Sequence, residues 1–191
     1  MVLHLDHQAT LGTIQASLVK SSDLLEEYHS SWSVNVVERR IIHARDCIFS
    51  LSSLNGTPPS TNNICPAEGP FPSAQLAEAL CHAKFTLGSA LLDRYAHLGS
   101  LADVQESISL LETIIEACSD QDCNFRTKVL CTLGSALRIH ADNSFQTASV
   151  DLTRAEGVHR LALEHVEQES SLHQEALGQL GETLYASNIH F

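Results

Sequence analysis

The sequence predicts an all-α protein of about seven helices folded as antiparallel helical hairpins. Three observations carry this expectation. Hydrophobic residues make up 43 % of the 191 and aromatics only 5 %, so the core must rest on Leu, Ile, Val and Ala, and text rich in Ala and Leu leans toward helix. Apolar residues recur at helical spacing through most of the chain. The string Leu-Gly-Ser-Ala-Leu is written twice, at Leu87–Leu91 and at Leu133–Leu137, and self-similarity at this kind of period marks a repeat architecture.

Taken in order, residues 1–54 read as an N-terminal, divergent helical hairpin. Its first helix carries Leu11-Gly12, and its second runs near Val34–Ser53 with Val37, Ile41, Ala44, Ile48 and Leu51 as the apolar stripe. The segment 55–73, NGTPPSTNNICPAEGPFPS, holds all five prolines of the chain. Proline removes backbone donors and stops helices, so this stretch is expected to be a mobile loop or linker. Residues 74–191 then return to helical text. A helix near Ser73–His97, with Ser73 as its N-cap, shows one face through Leu76, Leu80, Ala83, Leu87, Ala90 and Leu91. Gly99 ends it. Ser100 and Asp103 offer a capping box for the next helix, lined by Val104, Ile108, Leu111, Ile115 and Cys118. A second hairpin follows, with Val129, Leu130, Leu133, Ala136 and Leu137 in its first helix and Leu152, Ala155, Ala162 and Val166 in its second. A last helix, unpaired in the sequence, carries Leu180-Gly181.

The Leu-Gly pairs are spaced 46 residues from Leu87 to Leu133, 47 from Leu133 to Leu180, and 76 from Leu11 to Leu87 across the proline-rich segment. In a helical hairpin the leucine fills space between helices, and the glycine beside it removes a side chain so that the partner can approach. Glycine inside a helix costs up to ~1 kcal/mol relative to alanine, so Gly12, Gly88, Gly134 and Gly181 are each expected to face a close contact. The small residues expected opposite them are Ser107 and Ala155, which align between the two second helices.

The chain resembles tetratricopeptide repeats of the divergent, long-turn kind common in fungal proteins. The matching residues are Leu87-Gly88, Leu91, Ser107 and Ile114 in one unit, and Leu133-Gly134, Leu137, Ala155 and Ala162 in the next. These units are about a dozen residues longer than the usual repeat of about 34, and the excess falls in the turns. The resemblance implies a short right-handed solenoid that binds a protein or peptide in a groove lined by the first helix of each hairpin. By register that groove would present His82, Phe85, Ser89, Leu92 and Asp93, then Lys128, Cys131, Ser135, Arg138 and Ile139, then Glu175, Glu182 and Tyr185. Chaperone-binding members clamp a terminal carboxylate with several basic and amide residues. Here only Lys128 and Arg138 are offered, with Ser89 and Ser135 in place of amides, so such a role is not expected.

Charge narrows the partners. Eleven basic residues against 23 acidic give a net charge of -12. Phosphate backbones and anionic membrane surfaces select positive footprints, so neither nucleic acid nor membrane is an expected partner. A protein or peptide fits better, a basic one best, and the oligomeric state is left open. The six cysteines include no C-x-x-C pair and read as small hydrophobes in a reducing, cytoplasmic setting. The start MVLHLDHQAT has no basic segment followed by an apolar run, so no secretory signal is expected.

Eleven histidines raise the question of chemistry. His165, Glu169 and His173 are spaced four apart, which on one unbroken helix would make a metal-binding face. A turn near Glu169–Ser171 is expected to break that face, and no metal or cofactor is expected. His159 lies on an apolar seam and reads as a hydrogen-bonded core histidine. No phosphate-binding loop, dinucleotide fingerprint or nucleophile elbow is present. The expected function is therefore a protein-interaction module without catalytic residues. Two alternatives are a regulatory repeat segment of a larger effector protein and a small metal- or thiol-dependent enzyme on a helical scaffold.

Overall fold

The computed structural model describes residues 12, 16, 19, 20, 22–55, 73–117, 123–168 and 170–190. Among them there is helix and turn and no strand. Helix α1 is continuous over 22–31. It is followed by α2 (Val34–Asn55), α3 (Ser73–Leu98), α4 (Leu101–Ala117), α5 (Cys123–Asn143), α6 (Ala148–Glu164) and α7 (Ser171–His190). These bounds follow the apolar periodicity closely. Residues 56–72, nearly all of the proline-rich segment, lie outside the described residues, as does Cys118.

The chain divides into two compact units, Met1–Ala90 and Leu91–Phe191, with the division inside α3. In the first unit the expected stripe of α2 is buried at Val37, Ile41, Ala44 and Leu51. Cys47 and Leu51 pack with Ala83 of α3, flanked by Ile48, Leu76 and Leu80. Arg40 is buried too, with its guanidinium 5.8 Å from the Tyr28 ring centroid. Trp32 turns the chain between α1 and α2 at φ 49°, a left-handed conformation rarely taken by bulky residues. Gly88 is buried in α3. Gly12 is not: it is exposed, and a Cβ there would meet nothing within 4 Å. The close contact expected at Gly12 is thus absent among the described residues.

In the second unit α4 packs on α5, α5 on α6, α6 on α7, and α7 also on α5. Gly99 ends α3 in the left-handed region at φ 71°, and its N–H donates to the Tyr95 carbonyl at 2.7 Å, as a glycine C-cap requires. The expected capping box at Ser100 and Asp103 is replaced by a stronger use of the carboxylate. Arg94 donates to it twice, Nε to Oδ2 at 2.8 Å and Nη2 to Oδ1 at 2.7 Å, and both side chains are largely buried. Such bidentate pairs are geometrically demanding, and removing the carboxylate loses two charge-assisted hydrogen bonds at once. Asp103→Ala is therefore expected to cost about 2–3 kcal/mol, read as a lower urea midpoint with an unchanged m-value.

The α5–α6 pair is an antiparallel hairpin. Leu130 and Cys131 near the start of α5 pack with Ala162 near the end of α6, and Ala141 near the end of α5 packs with Ala148 and Leu152. Between them Gly134 faces His159. A Cβ at Gly134 would sit 2.4 Å from His159 Cε1 and Nε2. This corrects the expected pairing of Gly134 with Ala155: the glycine makes room for a ring, not for another small residue. Ser107 and Ala155 are both fully buried.

Helix α7 turns Ala176, Thr183 and Ala186 inward. Gly181 is two residues, about 200° of helix rotation, from Thr183. It points outward, exposed, with nothing within 4 Å of a Cβ position. The same Leu-Gly motif is therefore covered at Leu133-Gly134 and uncovered at Leu180-Gly181.

Candidate functional site

Of the thirteen residues expected to line a binding groove, three come together. Arg138 of α5 and Glu182 and Tyr185 of α7 line a cleft of about 380 Å³ with Asp142, Ala186 and Ile189. Helical spacing explains why. Arg138 and Asp142 are one turn apart on α5, while Glu182, Tyr185, Ala186 and Ile189 follow one face of α7. The Arg138 guanidinium lies 3.0 Å from Glu182 Oε2 and 3.5 Å from Asp142 Oδ2. One cation between two carboxylates leaves the cleft net negative. Above them Tyr185 is 70 % and Ile189 65 % exposed, so the rim is apolar. A ligand presenting a cationic group beside an apolar one matches both features.

The other ten expected residues are placed elsewhere, Leu92 and Ile139 half-buried and Glu175 exposed among them. Lys128 is exposed near the start of α5, ten residues and about 15 Å along the helix from Arg138. Ser135 is half-buried on α5 and Asp93 half-buried near the end of α3. His82, Phe85 and Ser89 belong to the first unit, half-buried on α3. Cys131, expected to face the groove, is instead in the core. Burial pushes its thiol up to about 11, with the nearby Glu175 carboxylate adding to the effect. It stays protonated at neutral pH and is a poor nucleophile. Asp142, Ala186 and Ile189 were not anticipated. Asp142 had a signal, since an acid one turn after an arginine is a helix ion-pair spacing.

A second polar cluster joins three helices. His140 Nδ1 of α5 lies 2.8 Å from Asp151 Oδ2 of α6, and its Nε2 lies 3.4 Å from Gln105 Nε2 of α4 and 3.5 Å from Ser144 Oγ. The chain Ser144–His140–Asp151 has the order of a nucleophile, base and acid. Yet the serine is at the outer limit of hydrogen-bond reach, and Gln105 shares the nitrogen that would take its proton. The geometry is that of a staple between helices. Arg154 of α6 adds to it by pairing with Glu112 of α4.

His159 is 0 % exposed, and neither ring nitrogen has a hydrogen-bond partner. The expected core position is correct and the expected hydrogen bond is absent. Burial, reinforced by the Arg138 charge, lowers its pKa from 6.5 to about 4. His165 caps the end of α6 and His173 lies in the first turn of α7, so the two do not share a helix. Glu169 lies outside the described residues. Among the described residues no three His, Cys, Asp or Glu side chains gather as a metal would require, and no helix is long and apolar enough to cross a membrane.

No protein-family model, no curated protein and no solved structure matches this chain.

Proposed function

We propose that the protein is an interaction module rather than an enzyme. In this reading its hairpins stack as a short right-handed, tetratricopeptide-like solenoid, and the α5–α7 cleft receives a peptide with a basic residue next to an apolar one. Support for the stacking comes from α5 packing on α7 as well as on α6, since first helices of successive hairpins must touch to line a common wall. The observation that carries the ligand assignment is Arg138 held between Asp142 and Glu182 beneath exposed Tyr185 and Ile189. The guanidinium is already matched by carboxylate, so an acidic ligand gains little there, while a cation meets two carboxylates lining the cleft against one guanidinium. The net charge of -12 steers the same class of partner toward the surface. The buried, protonated Cys131 thiol argues against thiol chemistry, and the thiols at Cys47, Cys81 and Cys131 suit a cytoplasmic setting.

The test is a fluorescence-anisotropy screen of labelled peptides that pair Lys or Arg with Leu or Phe, against acidic counterparts of equal length. Basic–apolar peptides are expected to bind in a salt-sensitive manner. Glu182→Lys and Tyr185→Ala are each expected to weaken binding about tenfold, roughly 1.4 kcal/mol. Arg160→Glu, an exposed change on α6, is expected to leave it unchanged. Preference for the acidic peptides, or indifference to Glu182→Lys, would sink the assignment.

A further inference from the structure

The outer face of α7 has the composition of a helix seam but, among the described residues, no helix on it. At the 47-residue spacing, Leu130, Cys131, Gly134 and Leu137 of α5 fall on Leu177, Gly178, Gly181 and Leu184 of α7. On α5 this face is buried, with Gly134 against His159 of α6. On α7 every one of the equivalent residues is exposed, and both glycines have empty space above them. The stripe continues from Gln174 to Asn188 at the three-four spacing of a coiled-coil seam. It carries no carboxylate, ammonium, guanidinium or imidazole, although a solvated helix face is normally charged.

We infer that this face pairs with the same face of a second copy of the chain, α7 against α7 antiparallel about a two-fold axis at Gly181. The argument for a second copy is self-complementarity. The α5–α6 seam needs its hole on one helix and its knob on the other. The α7 face carries both. With Gly181 on the axis, residues whose numbers lie equally far on either side of 181 fall opposite each other. Leu184 of one copy then enters the hole over Gly178 of the other, twice by symmetry. Leu177 meets Tyr185, and Gln174 meets Asn188, an amide pair able to hydrogen-bond. Glu175 and Glu182 each fall opposite an uncharged residue, so like charges are not brought face to face. The paired glycines let the two backbones approach closely at the centre.

Two four-turn helices in contact bury roughly 1,000 Å² in total, at the lower edge of a specific interface. The dimer is accordingly weak, with a dissociation constant on the order of 10 µM or above. Each copy carries a charge of -12, so the two repel and added salt strengthens the pair. An interface held by ion pairs would respond in the opposite direction.

The experiment is sedimentation equilibrium on the full chain from about 1 to 500 µM, a span that brackets a small interface, at low and high sodium chloride. Wild type is expected to pass from monomer to dimer, with the dissociation constant falling as salt rises. Leu184→Glu and Gly178→Lys, each at an exposed position outside the peptide cleft, are each expected to weaken the dimer at least tenfold, with helix content by circular dichroism unchanged. An equimolar mixture of the two variants is expected to recover the dimer. Only there does Glu at 184 meet Lys at 178 on one side of the axis while the native Leu184 and Gly178 meet on the other. Wild type that stays monomeric throughout would leave the face to a helix of another protein and overturn the inference. So would a dimer indifferent to Leu184→Glu, or a mixture that fails to reassociate. Tyr185 lies on both surfaces, so peptide binding is read at protein concentrations below the dimer's dissociation constant, where failure of the dimer and failure of the peptide reading stay distinguishable.

Discussion

Gly134→Ala is expected to destabilise the protein by up to about 2 kcal/mol, while Gly181→Ala, the same change in the same motif, stabilises it by up to about 1 kcal/mol. The new methyl at Gly134 would stand 2.4 Å from two atoms of the His159 ring. That ring belongs to a side chain with no exposed surface, so it has nowhere to swing without displacing its neighbours. Overpacking of this kind costs about 1–3 kcal/mol, partly offset by the ~1 kcal/mol that alanine gains over glycine in a helix. At Gly181 the space is open, so only the helix gain remains. Urea unfolding followed by far-UV circular dichroism, at concentrations low enough to keep α7 unpaired, reads both. A double-mutant cycle identifies the cause. Once His159→Ala has emptied the site, Gly134→Ala should become stabilising. If Gly134→Ala destabilises equally with and without the ring, the glycine is serving some other contact.

Acid is expected to weaken the fold through the same histidine. Its pKa is lowered from 6.5 to about 4 in the folded protein. Above pH 6.5 the imidazole is neutral in both states and contributes nothing pH-dependent. Between about 6.5 and 4 the unfolded chain takes up a proton that the native core refuses, so stability falls as pH falls. Below about 4 both states are protonated and the loss levels off. The full span amounts to about 3 kcal/mol. His159→Leu removes this component. Its stability should change less than wild type between pH 7 and pH 4.5, and identical slopes for the two proteins would refute the assignment.

The helices were legible because their apolar stripes are long and regular. Val37 to Leu51, Leu76 to Leu91 and Val129 to Leu137 each mark a buried face, and Gly99 supplied its own turn conformation. The fate of the Leu-Gly motif was not legible. Whether a glycine is covered depends on what stands beyond its helix. Gly134 has α6 there, whereas Gly181 lies on the side of α7 away from Thr183. Pairing Gly134 with Ala155 matched small to small, but the space a glycine vacates is filled by something large, and His159 lay one turn further along the same seam. At the cleft, Arg138, Glu182 and Tyr185 were named only through the repeat register that the resemblance implies. Asp142 and Ile189 were not named, although they repeat Arg138 and Tyr185 one turn further on at the same 47-residue spacing.

The corner between α1 and α2 has a practical bearing on spectroscopy. Trp32 is the single tryptophan of the chain, and it is 66 % exposed with Tyr28 beside it at 5.5 Å between ring centroids. Its emission should already lie close to that of indole in water in the native state, and it samples the neighbourhood of residue 32 only. Excitation at the indole band would thus be nearly blind to melting around Gly134 and His159, some hundred positions downstream. Tyrosine signals from Tyr95 and Tyr185, or the amide chromophore itself, are the optical handles that see that half of the polypeptide.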